Sequence, residues 1–194
     1  MQYVLTPASK VIHPYATWSG AFNSDQLNTL QEIARNAKTQ AQVGGGGGGI
    51  VNPDIRRSNV SWVENNPDTF WIYKTLGEVA SSLNADYFGF DLVGFGELLQ
   101  FTKYEHGELG TYGWHQDFGG KSVSRKLSLV VQLTDPSQYE GGNLELLLSG
   151  SPTVMPKERG LITAFPSWTL HQVTPVTAGY RETIVAWISG PNFV

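Results

Sequence analysis

Four histidines stand in the chain, and one of them, His115, is followed two residues later by Asp117. Two positions apart at the end of an extended strand, both side chains point to the same side, so an imidazole and a carboxylate can close on one ion. Two imidazoles and one carboxylate form the facial set that holds non-haem ferrous iron and leaves three coordination positions open. His171, on a later extended stretch, is the candidate third ligand. Alone, His-x-Asp is weak evidence, because a histidine near a strand end is more often simply exposed. His13 and His106 fall in no pattern.

The stretch from His171 to Arg181 adds a second kind of chemistry. A guanidinium is planar and permanently charged, and it can hold a carboxylate through two parallel hydrogen bonds at a fixed distance from a metal. Along an extended chain Arg181, Thr183, Val185 and Trp187 share a face, so the arginine and an aromatic ring look into one interior. Pairing with a surface carboxylate is the commoner fate of a single arginine. What carries weight is the order His-x-Asp, His, Arg on successive extended segments.

These residues need a scaffold, and the rest of the chain describes one. It has 194 residues, a length for one domain (1–194) with a substantial core. With no cysteine there is no disulfide framework, thiol nucleophile, zinc–thiolate site or iron–sulfur cluster. A net charge of −4 argues against a nucleic-acid partner gripped through phosphates. No apolar run is long enough to span a bilayer and no leader pattern opens the chain, so the expectation is no membrane association and a cytoplasmic setting.

Apolar residues recur at helical spacing over Asp25–Lys38, with Asn23 or Ser24 as the N-cap, and over Asp68–Leu83, just after Pro67. Ile55–Val63 reads as a strand. From about residue 91 the texture changes to short strands: Glu97–Tyr104, Arg125–Leu133, Asn143–Leu148, Gly160–Phe165, Thr169–Val173 and Arg181–Ile188, separated by glycine- and proline-bearing turns. Many short strands with regular turns point to a sandwich, jelly roll or barrel. The expected architecture is mainly β within an α+β chain: a helical and lid-supporting region over 1–90, then a catalytic core over 91–194.

From Glu97 to Pro191 the chain resembles 2-oxoglutarate/Fe(II)-dependent dioxygenases of the prolyl-4-hydroxylase-like group, above all the small PKHD-type hydroxylases. The matching motifs are Tyr112-Gly-Trp-His115-Gln-Asp117, the Arg125–Leu133 run, Glu140-Gly-Gly-Asn143, Leu161-Ile-Thr-Ala-Phe165-Pro and the His171–Arg181 block. The resemblance implies a double-stranded β-helix (jelly-roll) core with N-terminal helices packed on one sheet. It implies His115, Asp117 and His171 as iron ligands, and Arg181 and Tyr104 as partners of the distal carboxylate of 2-oxoglutarate. Tyr104 departs from the usual spacing by about two residues. Gln132 stands where relatives carry a tyrosine near the cosubstrate, and an amide could donate the same hydrogen bond. Tyr112, Arg125 and Trp187 fall where prolyl hydroxylases line the peptide site, although Trp187 could equally be core and Arg125 a solvated strand end.

The implied chemistry consumes O2 and 2-oxoglutarate and releases succinate and CO2, with ascorbate as a candidate reductant. The implied substrate is a prolyl, or alternatively lysyl, residue of a peptide or protein partner. The same chemistry on a small molecule such as a free amino acid stays open, because fold and cosubstrate residues cannot separate the two. A non-catalytic jelly-roll module would break the triad or lose the arginine, and here neither is lost. Val43–Asp54, with the six glycines Gly44–Gly49, stands where prolyl hydroxylases carry a mobile loop, so it is either a lid or an inserted linker.

Overall fold

The structure is a computed structural model, and it describes residues 13–37, 54–119, 122 and 124–192. The expected lid with its glycine run lies outside the described residues, apart from Asp54.

Two helices come first among the regular elements that cover the sheet. Helix α1 (Ser24–Asn36) starts where Asn23 and Gln26 cap each other: each side-chain carbonyl accepts the other's backbone N–H at 2.9 Å. Its apolar stripe buries Leu27, Leu30 and Ala34. Helix α2 (Phe70–Leu83) begins two residues later than its periodicity suggests. The Thr69 hydroxyl accepts the Asn66 N–H at 3.0 Å and donates to the Glu64 carbonyl, holding Pro67 and Asp68 in a turn ahead of the helix.

The strands are β1 (Ala16–Trp18), β2 (Arg56–Arg57), β3 (Asn59–Val63), β4 (Gly94–Phe95), β5 (Leu99–Glu105), β6 (Thr111–His115), β7 (Arg125–Gln132), β8 (Tyr139–Gly141), β9 (Leu144–Leu147), β10 (Pro152–Val154), β11 (Ile162–Pro166), β12 (His171–Val173) and β13 (Val176–Ser189). They form two antiparallel sheets. The larger runs β1-β11-β7-β13-β5-β3, with β4 and β8 also paired to β13; the smaller runs β10-β9-β12-β6-β2. This is the jelly-roll core, with the helices on one sheet.

Alternation along the strands divides the larger sheet into two faces. Leu99, Phe101, Leu127, Leu129, Val131, Ile184, Ala186 and Ile188 pack with Leu30, Ile72, Leu76 and Leu83 of the helices into the main core. Each leucine removed from water there contributes about 2 kcal/mol. The opposite face looks at the smaller sheet, where Val130 and Phe165 meet Leu144 and Leu146. Between that apolar corner and the open end of the sandwich the two sheets enclose the polar residues described below.

Three differences from the sequence reading bear on function. The single strand expected over Ile55–Val63 is two strands in different sheets: β2 pairs with β6, and β3 pairs with β5. The chain crosses from one sheet to the other at Ser58, which swings Arg56 inward. Strand β12 starts at His171, because Ser167 and Trp168 form a turn closed by the Thr169 N–H, which donates to the Pro166 carbonyl at 2.8 Å. Strand β13 begins five residues before Arg181, since Val176–Gly179 pairs with β8. Residues before 91 also supply three strands, β1 to β3, to the two sheets.

The turn at Gly141-Gly142 has φ of +69° and +56°, as its glycines suggest. A Cβ on Gly141 would sit 2.1 Å from the Pro175 carbonyl oxygen, so the close approach of β8 to the start of β13 also requires glycine.

Candidate active site

His115 ends β6 and His171 starts β12, and the two are register partners with ring centroids 4.1 Å apart. Each ring is oriented by its own backbone. Nδ1 of His115 lies 2.8 Å from the Gly113 carbonyl oxygen, and Nδ1 of His171 lies 2.9 Å from that of Thr169. A carbonyl can only accept, so both Nδ1 atoms carry the hydrogen and both Nε2 atoms present a lone pair. Those atoms lie 3.8 Å and 3.6 Å from Oδ1 and Oδ2 of Asp117. Among the described residues, His115, Asp117 and His171 are the one group of such side chains close enough to share an ion, with ligand atoms within 4.8 Å of one another.

Asp117 lies just past the end of β6 and is clamped on several sides. Its N–H donates to the Ser167 carbonyl at 2.9 Å, and its Oδ2 accepts from the Ser128 hydroxyl at 2.7 Å. Its own carbonyl accepts from Nη1 of Arg125 at 3.1 Å. Burial opposes ionisation of the carboxyl, but the adjacent imidazoles of His171 and His115 outweigh it and hold its pKa below the usual carboxylate value. Burial, followed by the neighbouring His171, pulls the pKa of His115 down to about 3. An ionised carboxylate beside a neutral imidazole is the protonation state that a divalent cation requires.

Arg181 stands opposite Tyr104 in the β13–β5 ladder, its guanidinium carbon 5.7 Å from the tyrosine ring centre. It is only 1% exposed, yet its Nε and Nη2 have no hydrogen-bond partner, and the Tyr139 hydroxyl nearby is equally unpartnered. Burial lowers the arginine's pKa, against the pull of the Tyr104 and Tyr139 hydroxyls. A buried guanidinium with unused donors is costly unless an anion answers it. The donor set therefore fits a cation at the triad and a carboxylate at Arg181.

Both lie in one cavity of about 350 Å³ between the sheets, together with Tyr104, Tyr112, Arg125 and Trp187. Tyr112 stacks on His115 with ring centres 3.5 Å apart. Arg125 rests 3.8 Å from the Trp187 ring centre and is held by the Glu97 carboxylate through Nε at 2.6 Å and Nη2 at 2.5 Å. Gln132 is buried in β7 opposite Thr183, on the same strand face as Ser128 and Val130; it is not among the residues that line the cavity, and its Oε1 has no hydrogen-bond partner.

Ser128, Glu97 and Tyr139 were not singled out by the sequence. Alternation along β7 already put Ser128 on the face opposite Leu127 and Leu129. Glu97 carried no comparable signal, because its partner is 28 residues away.

Comparison with known proteins agrees with this geometry. Residues 99–189, which contain the triad and Arg181, match the model of the 2OG-Fe(II) oxygenase superfamily. That stretch therefore resembles the core of that superfamily. The chain is 34% identical over 93 residues to a PKHD-type hydroxylase of Shewanella sp. (strain ANA-3), an alignment covering 45% of this chain and 41% of that one. It is 37% identical over 97 residues to a PKHD-type hydroxylase of Prochlorococcus marinus, covering 48% and 43%. The match thus spans less than half the length of these curated relatives. Among solved structures, a Pseudomonas putida prolyl-4-hydroxylase superposes with a TM-score of 0.74 at 17% identity over 93% of this chain and 94% of that one. A Trichoplax adhaerens prolyl hydroxylase in complex with a hypoxia inducible factor peptide fragment gives 0.74 at 15% identity, covering 91% and 83%. At such identities the likeness speaks for the shared fold.

Proposed function

We propose that this protein is a 2OG-Fe(II) oxygenase that hydroxylates a prolyl, or alternatively lysyl, residue of a peptide or protein, using Fe(II), O2 and 2-oxoglutarate. The observation that carries the reading is the pairing, in one cavity, of a His–Asp–His cluster with a buried arginine whose Nε and Nη2 are unsatisfied. His115 Nε2, the Asp117 carboxylate and His171 Nε2 would hold the ferrous ion, and Arg181 the distal carboxylate of the cosubstrate. When bound, iron and 2-oxoglutarate supply the oxidising power, with one oxygen atom passing to a substrate C–H bond and one to succinate as CO2 leaves.

The chain's own contribution is position and dryness. Gly113 and Thr169 carbonyls fix both imidazoles in the tautomer that offers Nε2. Ser128 keeps one Asp117 oxygen hydrogen-bonded, which orients the carboxylate without neutralising it. The Arg181 fork, with the Tyr104 hydroxyl as a second donor, would set the distance from the distal carboxylate to the metal. Val130, Leu144, Val173 and Val185 line the same cavity and exclude water from a site that generates a reactive oxidant. Tyr112, Trp187 and Arg125 form the wall on which the substrate would rest; burial raises the Tyr112 pKa, so its hydroxyl stays a neutral donor.

A peptide substrate is supported by the names of the structural relatives, one of them solved with a peptide fragment. No helix of the described residues is long and apolar enough to cross a membrane; a cytoplasmic setting is part of the proposal.

The test is a screen of prolyl peptides, lysyl peptides and free amino acids with iron and 2-oxoglutarate. A substrate mass gain of one oxygen atom, matched by succinate release and lost in Asp117→Ala, is the expected result. Substrate-independent succinate release across the panel would overturn the peptide assignment.

A further inference from the structure

Arg181 has more donors than one carboxylate can use. A guanidinium presents five N–H bonds, and a carboxylate held as a fork takes two of them. With the side chain 1% exposed, solvent cannot satisfy the rest, and Nε and Nη2 have no hydrogen-bond partner among the described residues. Tyr139 is in the same condition: it is 5% exposed and its hydroxyl is unpartnered. The two side chains lie together. A Cβ on Gly142 would stand 3.2 Å from Arg181 Cδ and 3.4 Å from Tyr139 Cε2, so both border one point of the Gly141-Gly142 turn.

Local sequence sets up this meeting. The Asp135 side chain accepts the Ser137 N–H at 2.9 Å and caps the short turn Pro136–Gln138, which delivers Tyr139 to the start of β8. Tyr139 is the register partner of Gly179, two residues before Arg181 on β13. A Cβ on Gly179 would lie 2.0 Å from the Gln138 carbonyl oxygen and 3.2 Å from Tyr139 Cα, so the two strands meet this closely because residue 179 is glycine. Lys157 covers the tyrosine ring, its Nζ 4.9 Å from the ring centre and donating to the Gly141 carbonyl at 2.6 Å. Burial raises the pKa of Tyr139, with the guanidinium pulling the other way, so the hydroxyl is a neutral acceptor. A buried charged donor and a buried acceptor, both unpartnered and side by side, are each costly until they pair.

We propose that Tyr139 is a positioning residue for the cosubstrate: its hydroxyl oxygen accepts one N–H of Arg181 when a carboxylate occupies the fork, and so fixes the plane in which the arginine presents its other donors. The inference rests on the oxygenase reading above. Tyr139 is not among the residues that line the cavity, so it reaches the cosubstrate only through the arginine. Its part differs from that of Tyr104, which lines the cavity and would donate to the carboxylate directly. A guanidinium held in one plane loses less freedom on binding, which favours a cosubstrate with a distal carboxylate over one without.

The experiment is calorimetric titration of the anaerobic, Fe(II)-loaded protein with 2-oxoglutarate and with 2-oxopentanoate, a 2-oxo acid of the same chain length that lacks the distal carboxylate. Tyr139→Phe keeps the ring and removes the hydroxyl. Affinity for 2-oxoglutarate then falls by about tenfold, as loss of a hydrogen bond to a charged group implies, while affinity for 2-oxopentanoate is unchanged. In an Arg181→Gln background Tyr139→Phe has no further effect on 2-oxoglutarate, because the two residues act as one unit. Equal losses for both oxo acids would assign Tyr139 to packing alone. Those equal losses, unchanged affinity for both, or an undiminished effect in the Arg181→Gln background each overturn the inference. Visible absorption of the same samples tests the oxygenase reading separately: 2-oxoglutarate that binds in the calorimeter without a charge-transfer band contradicts that reading, whatever the Tyr139 variant does.

Discussion

Ser128 and Asp117 are joined by a 2.7 Å hydrogen bond from hydroxyl to carboxylate, between strand β7 of the larger sheet and the segment that leaves β6 of the smaller one. The bond crosses the sandwich, so the carboxylate of the triad is held by the sheet opposite the one that carries both histidines. Ser128 also lies 3.0 Å from the Ser167 hydroxyl, and the Ser167 carbonyl accepts the Asp117 N–H. Two serines thereby fix the side chain and the backbone of one ligand.

Ser128→Ala removes the side-chain half of that clamp while leaving all three ligands in place. Partners of this kind are worth 10- to 100-fold in metal affinity, so ferrous affinity falls by about that range. Ser128 is fully buried, so alanine also leaves the buried Asp117 carboxylate one donor short and lowers stability by about 1–3 kcal/mol. Metal titration of the variant checks this; an unchanged dissociation constant would show that Ser167 and Arg125 suffice.

Gly142→Ala acts on the carboxylate end of the cavity. At φ +56° its new Cβ would lie 2.9 Å from Val176 Cγ2 and 3.2 Å from Arg181 Cδ. Backbone strain and crowding together cost about 1–3 kcal/mol of stability. Displacement of the guanidinium also raises the apparent KM for 2-oxoglutarate. Gly150→Ala, at φ +82° with nothing within 4 Å of the new Cβ, supplies the comparison: strain alone, with an unaltered KM. Identical cosubstrate kinetics in both variants would argue against contact through Arg181.

Arg35→Ala tests the attachment of helix α1 to the sheet. Glu182, the residue after Arg181, is buried on the helix-facing side, and its carboxylate accepts from Arg35 Nε at 2.9 Å, from Arg35 Nη2 at 2.7 Å and from Gln31. The pairing raises the pKa of Arg35, chiefly through the hydrogen bond to Glu182. Arg35 is half exposed, which discounts the Coulombic part, so its loss costs about 1–2 kcal/mol, mostly from a buried carboxylate left with fewer donors. Urea unfolding should show a lower midpoint with an unchanged slope. A midpoint equal to that of the wild type would mean that Gln31 alone satisfies Glu182.

The sequence made much of this site legible because its parts repeat local rules. His-x-Asp at a strand end, a distal histidine and an arginine sharing a strand face with Trp187 all follow from period-2 alternation, as does the division of β7 into Leu127 and Leu129 on one side and Ser128 and Val130 on the other. The cap of α1 was equally local, set by Asn23 and Gln26. What escaped was long-range. Glu97 meets Arg125 only because β4 and β5 pair with β13, and β7 pairs with it from the other side. Arg56 enters the cavity because one apparent strand is shared between two sheets, which alternation in a single segment does not encode. Gln132 shares the face of β7 that carries Ser128 and Val130 and stands opposite Thr183, which lines the cavity, while it is not itself among the lining residues.

The central claim is that one cavity binds a ferrous ion through His115, Asp117 and His171 and a 2-oxoglutarate carboxylate through Arg181. Its most direct test is anaerobic addition of Fe(II) and then 2-oxoglutarate, followed by visible absorption. The account predicts a weak charge-transfer band that forms in the wild type, is absent in Asp117→Ala and His171→Ala, and in Arg181→Ala requires markedly more 2-oxoglutarate to appear. A wild-type protein that gives no band, or a band that persists in Asp117→Ala and His171→Ala, would contradict it.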